Sequence, residues 1–444
     1  MNRNPVRDLG DGLILRQATP ADTEVLVAFH GDVHRDPGME EPDVRVAAWT
    51  RDLLAGDHPT FRASHFTLVE DTRQRAVVSS ACLIPQTWSY EGVEFGVGRP
   101  ELVGTHPDYR RRGLVRAQFE VLHQLSAEQG HQLQAITGIP WYYRQFGYEM
   151  VLSLGGGRCG YKPQVPVLDK GEKESYQVRP ATQGDLALIA GLYSRGAKRS
   201  LVTCVRDEAL WRYELEGRSE QSVDRRELRV IEAAAGEPVG MLMHKPDLWR
   251  GRSVATGYEL KPGVSWLAVT PSVVRYLWAM GIQYAARDRK QELNSFAFRL
   301  GMEHPVYQVL HDGLPHLLRP YAWYIRVPDL AGFLRAIAPV LERRLAGSVV
   351  VGHSGELKIS FYRDGLRLVF DGGRLAAVET WQPAPDDSGK AAFPELTFLQ
   401  LVFGYRSMEE LAYAFADCWV ADDEARALLD ALFPKKSSDI WAVM

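Results

Sequence analysis

Glu101 to Arg116 reads ELVGTHPDYRRRGLVR. Leu102, Val103 and Thr105 predict a short β-strand, residues 106–109 a turn around Pro107, and the Arg-Arg-Arg-Gly run a loop that opens a helix. A glycine at a helix start lets an anion approach the backbone. The unpaired amides of the first turn then point at it, and the helix dipole adds a partial positive charge. Arginines around the loop can add charge-assisted hydrogen bonds. Beyond the loop, Leu114, Val121, Leu122 and Leu125 recur at helical spacing, and Gly130 is placed to end the helix. This is the pattern of a diphosphate-binding loop without the lysine of a P-loop or the glycine triplet of a dinucleotide fold. It points to coenzyme A rather than to ATP or NAD. A basic surface turn at a helix start is the other reading of the segment taken alone. Nucleic acid is argued against by a net charge of -4 and the lack of an extended basic stripe.

A chain of 444 residues exceeds one ordinary core, so two or three domains are expected. Hydrophobic residues at 45% and charged residues at 24% describe a soluble globular protein. The opening residues MNRNPVRDLGDG lack the apolar stretch of a signal peptide, and no apolar run is long enough to span a membrane, so a cytoplasmic location is expected. Cys82, Cys159, Cys204 and Cys418 show neither CxxC nor Cys/His ligand spacing, and the histidines include no HExxH pair. No metal and no disulfide framework is expected, and the cysteines read as buried thiols.

An internal echo sets the domain plan. Residues 15–22 read LRQATPAD and residues 178–185 read VRPATQGD. Each ends a strand with Arg and starts a helix at Thr19 or Thr182, with Asp22 or Asp185 three residues on, as in a capping box. Two tandem domains follow, 12–165 and 174–300, joined by a linker over Gly155 to Lys173. The first has strands at Phe66 to Glu70, Arg75 to Leu83 and Thr87 to Val97, leading into the motif strand. In the second, Ser265 to Thr270 reads as the counterpart of the motif strand, followed by Pro271. The sequence after it, SVVRYLWAMG, has no Arg-rich loop and no Gly at a helix start, so the second copy reads as structural or as a wall of the acceptor pocket. From 320 to 444 a third pattern predicts a strand YAWYIRV and an amphipathic helix Leu330 to Leu345. Strands Leu357 to Tyr362 and Leu366 to Asp371 come next, then helices around Phe398 to Leu401, Glu409 to Phe415 and Glu424 to Leu432.

The pattern V-x-T-x-P-x-Y-R-R-R-G-L-V resembles motif A of the GNAT acetyltransferases, Arg/Gln-x-x-Gly-x-Gly/Ala. Arg110, Gly113 and Val115 occupy its three positions, and Val115 departs from the small residue expected last. RRRGLVR is similar to the enhanced intracellular survival branch of these enzymes. WYYRQFGYEM, Trp141 to Met150, resembles the Y-x-x-F-G-Y segment near the end of a GNAT domain, and FLQLVFGYRSMEELA resembles a late segment of the sterol-carrier-protein-like domain that closes that branch. The resemblance implies an α/β (α+β) protein with an active GNAT domain, a degenerate GNAT domain and a sterol-carrier-like domain, over the three ranges above.

Acetyl transfer from a thioester to an amine needs a positioned donor, a neutral amine, support for the oxyanion and a proton for the departing thiolate. The resemblance implies acetyl-CoA as co-substrate and no metal. The pantetheine arm would lie along Val103, Gly104 and Thr105, and the diphosphate on Arg111, Arg112, Gly113, Leu114, Val115 and Arg116. Tyr143 would be the general acid, with Tyr142 its near rival, while Phe146 and Tyr148 read as packing. The terminal carboxylate of Met444 would fold back as general base, helped by burial of Trp441; a frayed end is the alternative. The acidic stretch holding Asp36, Glu40 and Glu41, together with Asp32 and Asp43, would attract a cationic amine or be a solvated loop. Family members acetylate aminoglycosides and other polyamines and some form hexamers, so the resemblance implies a homo-oligomer, trimer or hexamer. A protein lysine or a thiol-precursor amine as acceptor, and a non-catalytic acyl-CoA or lipid sensor, are the rival readings.

Overall fold

The computed structural model describes residues 6–288 and 291–441. Two of its three sheets share one plan, and the echo between them is physical. Arg16 grips the Asp22 carboxylate through two bonds of 2.9 and 2.7 Å, and Arg179 grips Asp185 at 2.8 and 2.9 Å. In each copy the same aspartate accepts from the backbone N–H and hydroxyl of the preceding threonine, Thr19 or Thr182. Each arginine also reaches a glutamate on the neighbouring strand, Glu70 or Glu232.

The first sheet runs Arg7–Gly10, Leu13–Gln17, Phe66–Asp71, Ala76–Tyr90, Val93–Thr105, Leu133–Ile136, Tyr321–Arg326, Glu149–Leu154, and Val202–Cys204 joins Ala76–Tyr90 from outside this path. It is antiparallel except between Val93–Thr105, the motif strand, and Leu133–Ile136, which the motif helix Leu114–Glu128 connects. The second sheet runs Tyr176–Pro180, Glu227–Ala233, Pro238–His244, Arg252–Leu260, Ser295–Phe298, Gly157–Gly160, His316–Leu318, again with one parallel pair, Arg252–Leu260 beside Ser295–Phe298.

Between its parallel strand and its last strand, each sheet takes in a strand from elsewhere in the chain. Tyr321–Arg326, expected to open the third region, lies between Leu133–Ile136 and Glu149–Leu154. Gly157–Gly160, expected as linker, lies in the second sheet, and so does His316–Leu318. The glycine run makes the crossing possible. Gly155, Gly156 and Gly157 all have positive φ, and a Cβ on Gly157 would stand 2.0 Å from the Phe298 carbonyl oxygen.

Three further expectations are corrected. Ser265 to Thr270 is not a strand. Ser265 caps the helix Trp266–Arg287, in which Val269, Val273 and Leu277 are buried at four-residue spacing. That helical stripe outweighs the β-propensity of the run. The counterpart of the motif strand is Arg252–Leu260, immediately before it. Thr87 to Val97 is split by a turn at Glu91 and Gly92, both with positive φ as a tight hairpin turn requires. The helix expected over Leu330 to Leu345 breaks at Ile337 into Leu330–Ala336 and Ala338–Ala346, with Pro339 in the first turn of the second.

The third sheet runs Arg374–Trp381, Gly365–Asp371, Gly355–Ser360, Ala391–Ala392, Trp419–Val420. Its helices pack on the first sheet in one apolar core. Phe95 meets Phe333 at 5.4 Å, and the buried Tyr90 hydroxyl donates to the Val402 carbonyl oxygen at 2.6 Å. Among the described residues, no helix is long and apolar enough to cross a membrane.

Candidate active site

The motif strand is held on one side and open on the other. Toward Leu133–Ile136 it pairs only at Val97 and Gly98, and from Arg99 onward the two strands part. On the other side its register slips between Glu101 and Gly104, where Leu102 takes a positive φ of 49°. This bulge re-aims the backbone at the point where the gap opens. Gly104 is required there, because a Cβ would lie 2.6 Å from Val33 Cγ1 on the helix Thr23–Val33. Gln118 Nε2 donates to Ser79 Oγ at 2.7 Å, and Ser79 Oγ meets the Gly104 carbonyl oxygen at 2.9 Å and Thr105 Oγ1 at 2.8 Å. Strand and helix are thereby tied together behind the opening.

The loop between them has the backbone an anion site needs. Arg111 and Gly113 both have positive φ, 63° and 75°. The helix ladder begins with the Ala117 N–H donating to the Gly113 carbonyl oxygen, so the amides of Leu114, Val115 and Arg116 face out of the helix start. Tyr109 pins the loop by donating to Asp71 Oδ2 at 2.7 Å, with the Arg112 guanidinium 4.9 Å above its ring. Leu114 is buried beneath the loop, whereas Arg111, Arg112, Gly113 and Arg116 are exposed. Arg116 lies over Phe146 and donates to Gln145 at 3.0 Å. These residues fit a diphosphate.

Tyr143 stands on the short 3₁₀ helix Tyr142–Phe146, flanked by Trp141 and Gly147, both in left-handed conformation. It is buried in one cluster with Phe119 of the motif helix, Ile136 and Val103. Burial, and then the negative charge of Glu101, push its phenol well above the ordinary tyrosine range, so it is a neutral proton donor at neutral pH. The exchanged strand builds this corner. Tyr321 donates to the Gly138 carbonyl oxygen, and the Trp141 N–H donates to the Tyr324 hydroxyl at 3.1 Å. Tyr142 is half-buried, and Tyr148 is buried with its hydroxyl 2.9 Å from His123.

Glu101 opens the quoted stretch but received no role from the sequence. Its side chain is 13% exposed and is paired with the fully buried Arg99. Burial raises its carboxyl to about 7, Asp224 of the second domain pushes the same way, and Arg99 opposes both. Only a signal that sees tertiary surroundings could have singled it out, since a glutamate on a strand is ordinary in sequence. His30 and His34 are a similar case. His30 is buried, with its Nε2 3.2 Å from Ser80 Oγ, His34 is half-buried beside Gly104, and desolvation holds both neutral.

The tail docks in the seam between the first two domains. The Leu201 N–H donates to the Ser437 carbonyl oxygen at 2.8 Å, and the Val202 N–H to Ser438 Oγ at 3.1 Å. Ile440 is buried, Trp441 donates to the Arg299 carbonyl oxygen at 3.2 Å, and Arg206 donates to the Trp441 carbonyl oxygen. Met444 lies outside the described residues. Asp36, Glu40 and Glu41 are exposed on the loop between Thr23–Val33 and Val44–Leu54, where Asp32 pairs with Arg35 and Asp43 caps the second helix. All four cysteines are buried, and no group of three metal-ligating side chains is found among the described residues.

Residues 15–151 match a family model described as an acetyltransferase (GNAT) domain. Among solved structures, the chain is similar to a conserved protein of unknown function from Enterococcus faecalis V583, at TM-score 0.66 and 13% identity over 97% of this chain and 99% of that one. A GCN5-related N-acetyltransferase from Anabaena variabilis ATCC 29413 superposes at TM-score 0.64 and 14% identity over 96% and 99%. Eis1 from Mycobacterium abscessus does so at TM-score 0.60 and 12% identity over 97% and 99%. At such identities the likeness speaks for the fold alone. No curated protein matches the sequence. Residues 15–151 thus carry an acetyltransferase domain of the GNAT type, on a fold that works with acyl-CoA, and the protein is an acyl-transferring enzyme, an N-acetyltransferase.

Proposed function

We propose that the protein transfers acetyl from acetyl-CoA directly to a primary amine of a cationic small molecule, aminoglycoside-like or polyamine-like, with both substrates bound together. The observation that carries this reading is the meeting of a neutral buried phenol, Tyr143, and a carboxyl poised at about 7, Glu101, beside a strand opening that leads to a helix N-terminus. The amides of residues 113–116, with Arg111, Arg112 and Arg116, hold the diphosphate, and the backbone of Val103, Gly104 and Thr105 holds the pantetheine arm. A carboxylate takes a proton from the acceptor ammonium. The amine nitrogen bonds to the thioester carbon, the C–S bond breaks, and Tyr143 protonates the leaving thiolate. Backbone N–H groups at the bulge support the oxyanion.

Two carboxylates qualify as base. Glu101 is favoured by its titration near neutrality, and the Met444 carboxylate by a tail docked as far as Trp441. The acidic loop with Asp36, Glu40 and Glu41 would steer a cation toward the cleft. Membership of the enhanced intracellular survival branch, a sterol-carrier-like last domain and a trimeric or hexameric assembly belong to the same proposal.

Free-thiol release from acetyl-CoA, measured against aminoglycosides, polyamines and lysine peptides, tests it. Wild type would be compared with Tyr143→Phe, Glu101→Gln and a chain lacking Met444. Turnover with cationic small amines, lost in Tyr143→Phe while CoA binding persists, is expected. Turnover with lysine peptides alone would overturn the substrate class. Thioester left intact by every amine would overturn catalysis of this kind.

A further inference from the structure

The second domain repeats the opening of the first. Arg252–Leu260 pairs with Ser295–Phe298 from Arg252 with Ser295 to Ala255 with Phe298, and its register on the other side slips at Thr256, as the motif strand's does at Leu102. The Arg299 N–H gives the last bond, to the Ala255 carbonyl oxygen, and the chains then part. Between Thr256 to Glu259 on one side and Leu300 to His304 on the other lies a cavity, closed by the tail residues Ser437, Ser438, Asp439 and Trp441. In the first domain the matching gap holds the reactive groups. In the second it is walled by the protein's own C-terminal segment.

We infer that this cavity is a second binding site, and that it takes a primary ammonium group carried on a short apolar chain. Asp439 Oδ1 and Thr256 Oγ1 are both enclosed at the cavity, and neither has a hydrogen-bond partner among the described residues; Thr256 is 3% exposed. Glu259 is already answered, because Arg199 donates to both its oxygens and His304 stands 3.7 Å away. Asp439 Oδ1 has no such partner among the described residues. Burial, joined by the charge of Glu259, raises its carboxyl to about 7 against the pull of Arg199, Arg206 and Arg299. A buried carboxylate oxygen without a donor carries a full desolvation cost, which an ammonium removes with a charge-assisted bond. Thr256 Oγ1 supplies a second acceptor, and Met241, Tyr258 and Leu300 supply apolar walls for the carbon chain. Arg199 also lines the cavity but is engaged by Glu259, so an anion would meet Asp439 and Glu303, and a ligand with no donor would leave Asp439 Oδ1 unanswered.

The site is also tied through the chain to the seam between the first two domains. Asp439 is two residues before Trp441, whose carbonyl oxygen Arg206 holds in the seam between the domains. An occupant therefore fixes a segment that is also held at that seam, at Trp441. The inference is independent of which carboxylate serves as base there.

Calorimetric titration with putrescine, in the absence of acetyl-CoA, tests it on the full chain. Wild type is expected to bind at two sites per chain. In Glu101→Gln the second-domain site is retained, and in Asp439→Asn its affinity falls tenfold or more, with Thr256→Val as a second variant should Asp439→Asn fail to fold. A crystal of the wild type soaked in putrescine needs no variant and should place one amine nitrogen at Asp439. Unchanged binding in both Asp439→Asn and Thr256→Val, no binding by Glu101→Gln, or only water in the soaked cavity would each overturn the inference.

Discussion

Replacing Glu101 with Gln should stabilise the protein while it disables it. In the folded chain the Glu101 carboxyl titrates at about 7 rather than at its ordinary value of 4.5, because burial and Asp224 outweigh the pairing with Arg99. The folded form thus holds the proton more tightly than the unfolded chain does. The side chain's contribution to stability is largest below pH 4.5, falls as pH rises, and is gone above about pH 7. At about 1.4 kcal/mol for each tenfold difference in proton affinity, keeping Glu101 ionised in place costs the fold about 3 kcal/mol at pH 8, an upper bound. Gln keeps the shape and an acceptor for Arg99 but does not titrate. Denaturant unfolding of wild type and Glu101→Gln at pH 4.5 and pH 8 should show the variant gaining about 3 kcal/mol relative to wild type between the two. The same substitution should lower kcat/KM at pH 8 by about 10²–10⁴, the usual worth of a general base, and abolish an acid limb near pH 7 in the pH profile. A stability difference that is the same at both pH values would refute the assigned titration. An acid limb that survives in Glu101→Gln would refute the catalytic role and move the base to the Met444 carboxylate.

Three further outcomes are expected. Gly113→Ala meets no heavy atom within 4 Å but keeps a φ of 75°, so it should cost about 1–2 kcal/mol of stability; its methyl group stands where an anion approaches, and KM for acetyl-CoA should rise at least tenfold in steady-state assays. Gly157→Ala puts a methyl 2.0 Å from the Phe298 carbonyl oxygen in the exchanged strand, at a φ of 144°, and should destabilise by more than about 4 kcal/mol, read as loss of soluble folded protein by circular dichroism. Asp22 is held at about 2, below its ordinary 3.8, by Arg16 first, with burial opposing and the Thr19 N–H and hydroxyl assisting. Its contribution is present above pH 3.8 and lost as pH falls through 2, so Asp22→Asn should cost about 2 kcal/mol in urea unfolding at pH 7 and much less near pH 2.

Much of the first site was legible because its parts are local. A strand, a turn, a left-handed glycine and a helix start are consecutive in residues 101–116, and backbone geometry follows from the residues themselves. The Tyr143 segment was legible for the same reason. Ser265 to Thr270 misled because its β-branched residues also fit one face of a helix, and packing against Arg252–Leu260 chose between the two. Glu101 was overlooked although it stood in the first quoted residue. Its unusual proton affinity comes from what surrounds it, including Asp224, more than 120 positions away in the chain.

By itself, the sequence determined the strand, turn and glycine-led helix start of residues 101–116, the two-copy plan marked by Arg16 with Asp22 and Arg179 with Asp185, and the alternation of strands and helices in the last region. Only the tertiary structure decided that Tyr321–Arg326 belongs to the first sheet and Gly157–Gly160 to the second, that the tail walls the second domain's opening, and that Glu101 and Asp439 both titrate near 7. A strand's own residues set its tendency to extend but carry no record of its partner. A carboxyl's proton affinity is likewise set by the water and charges that distant segments remove or supply.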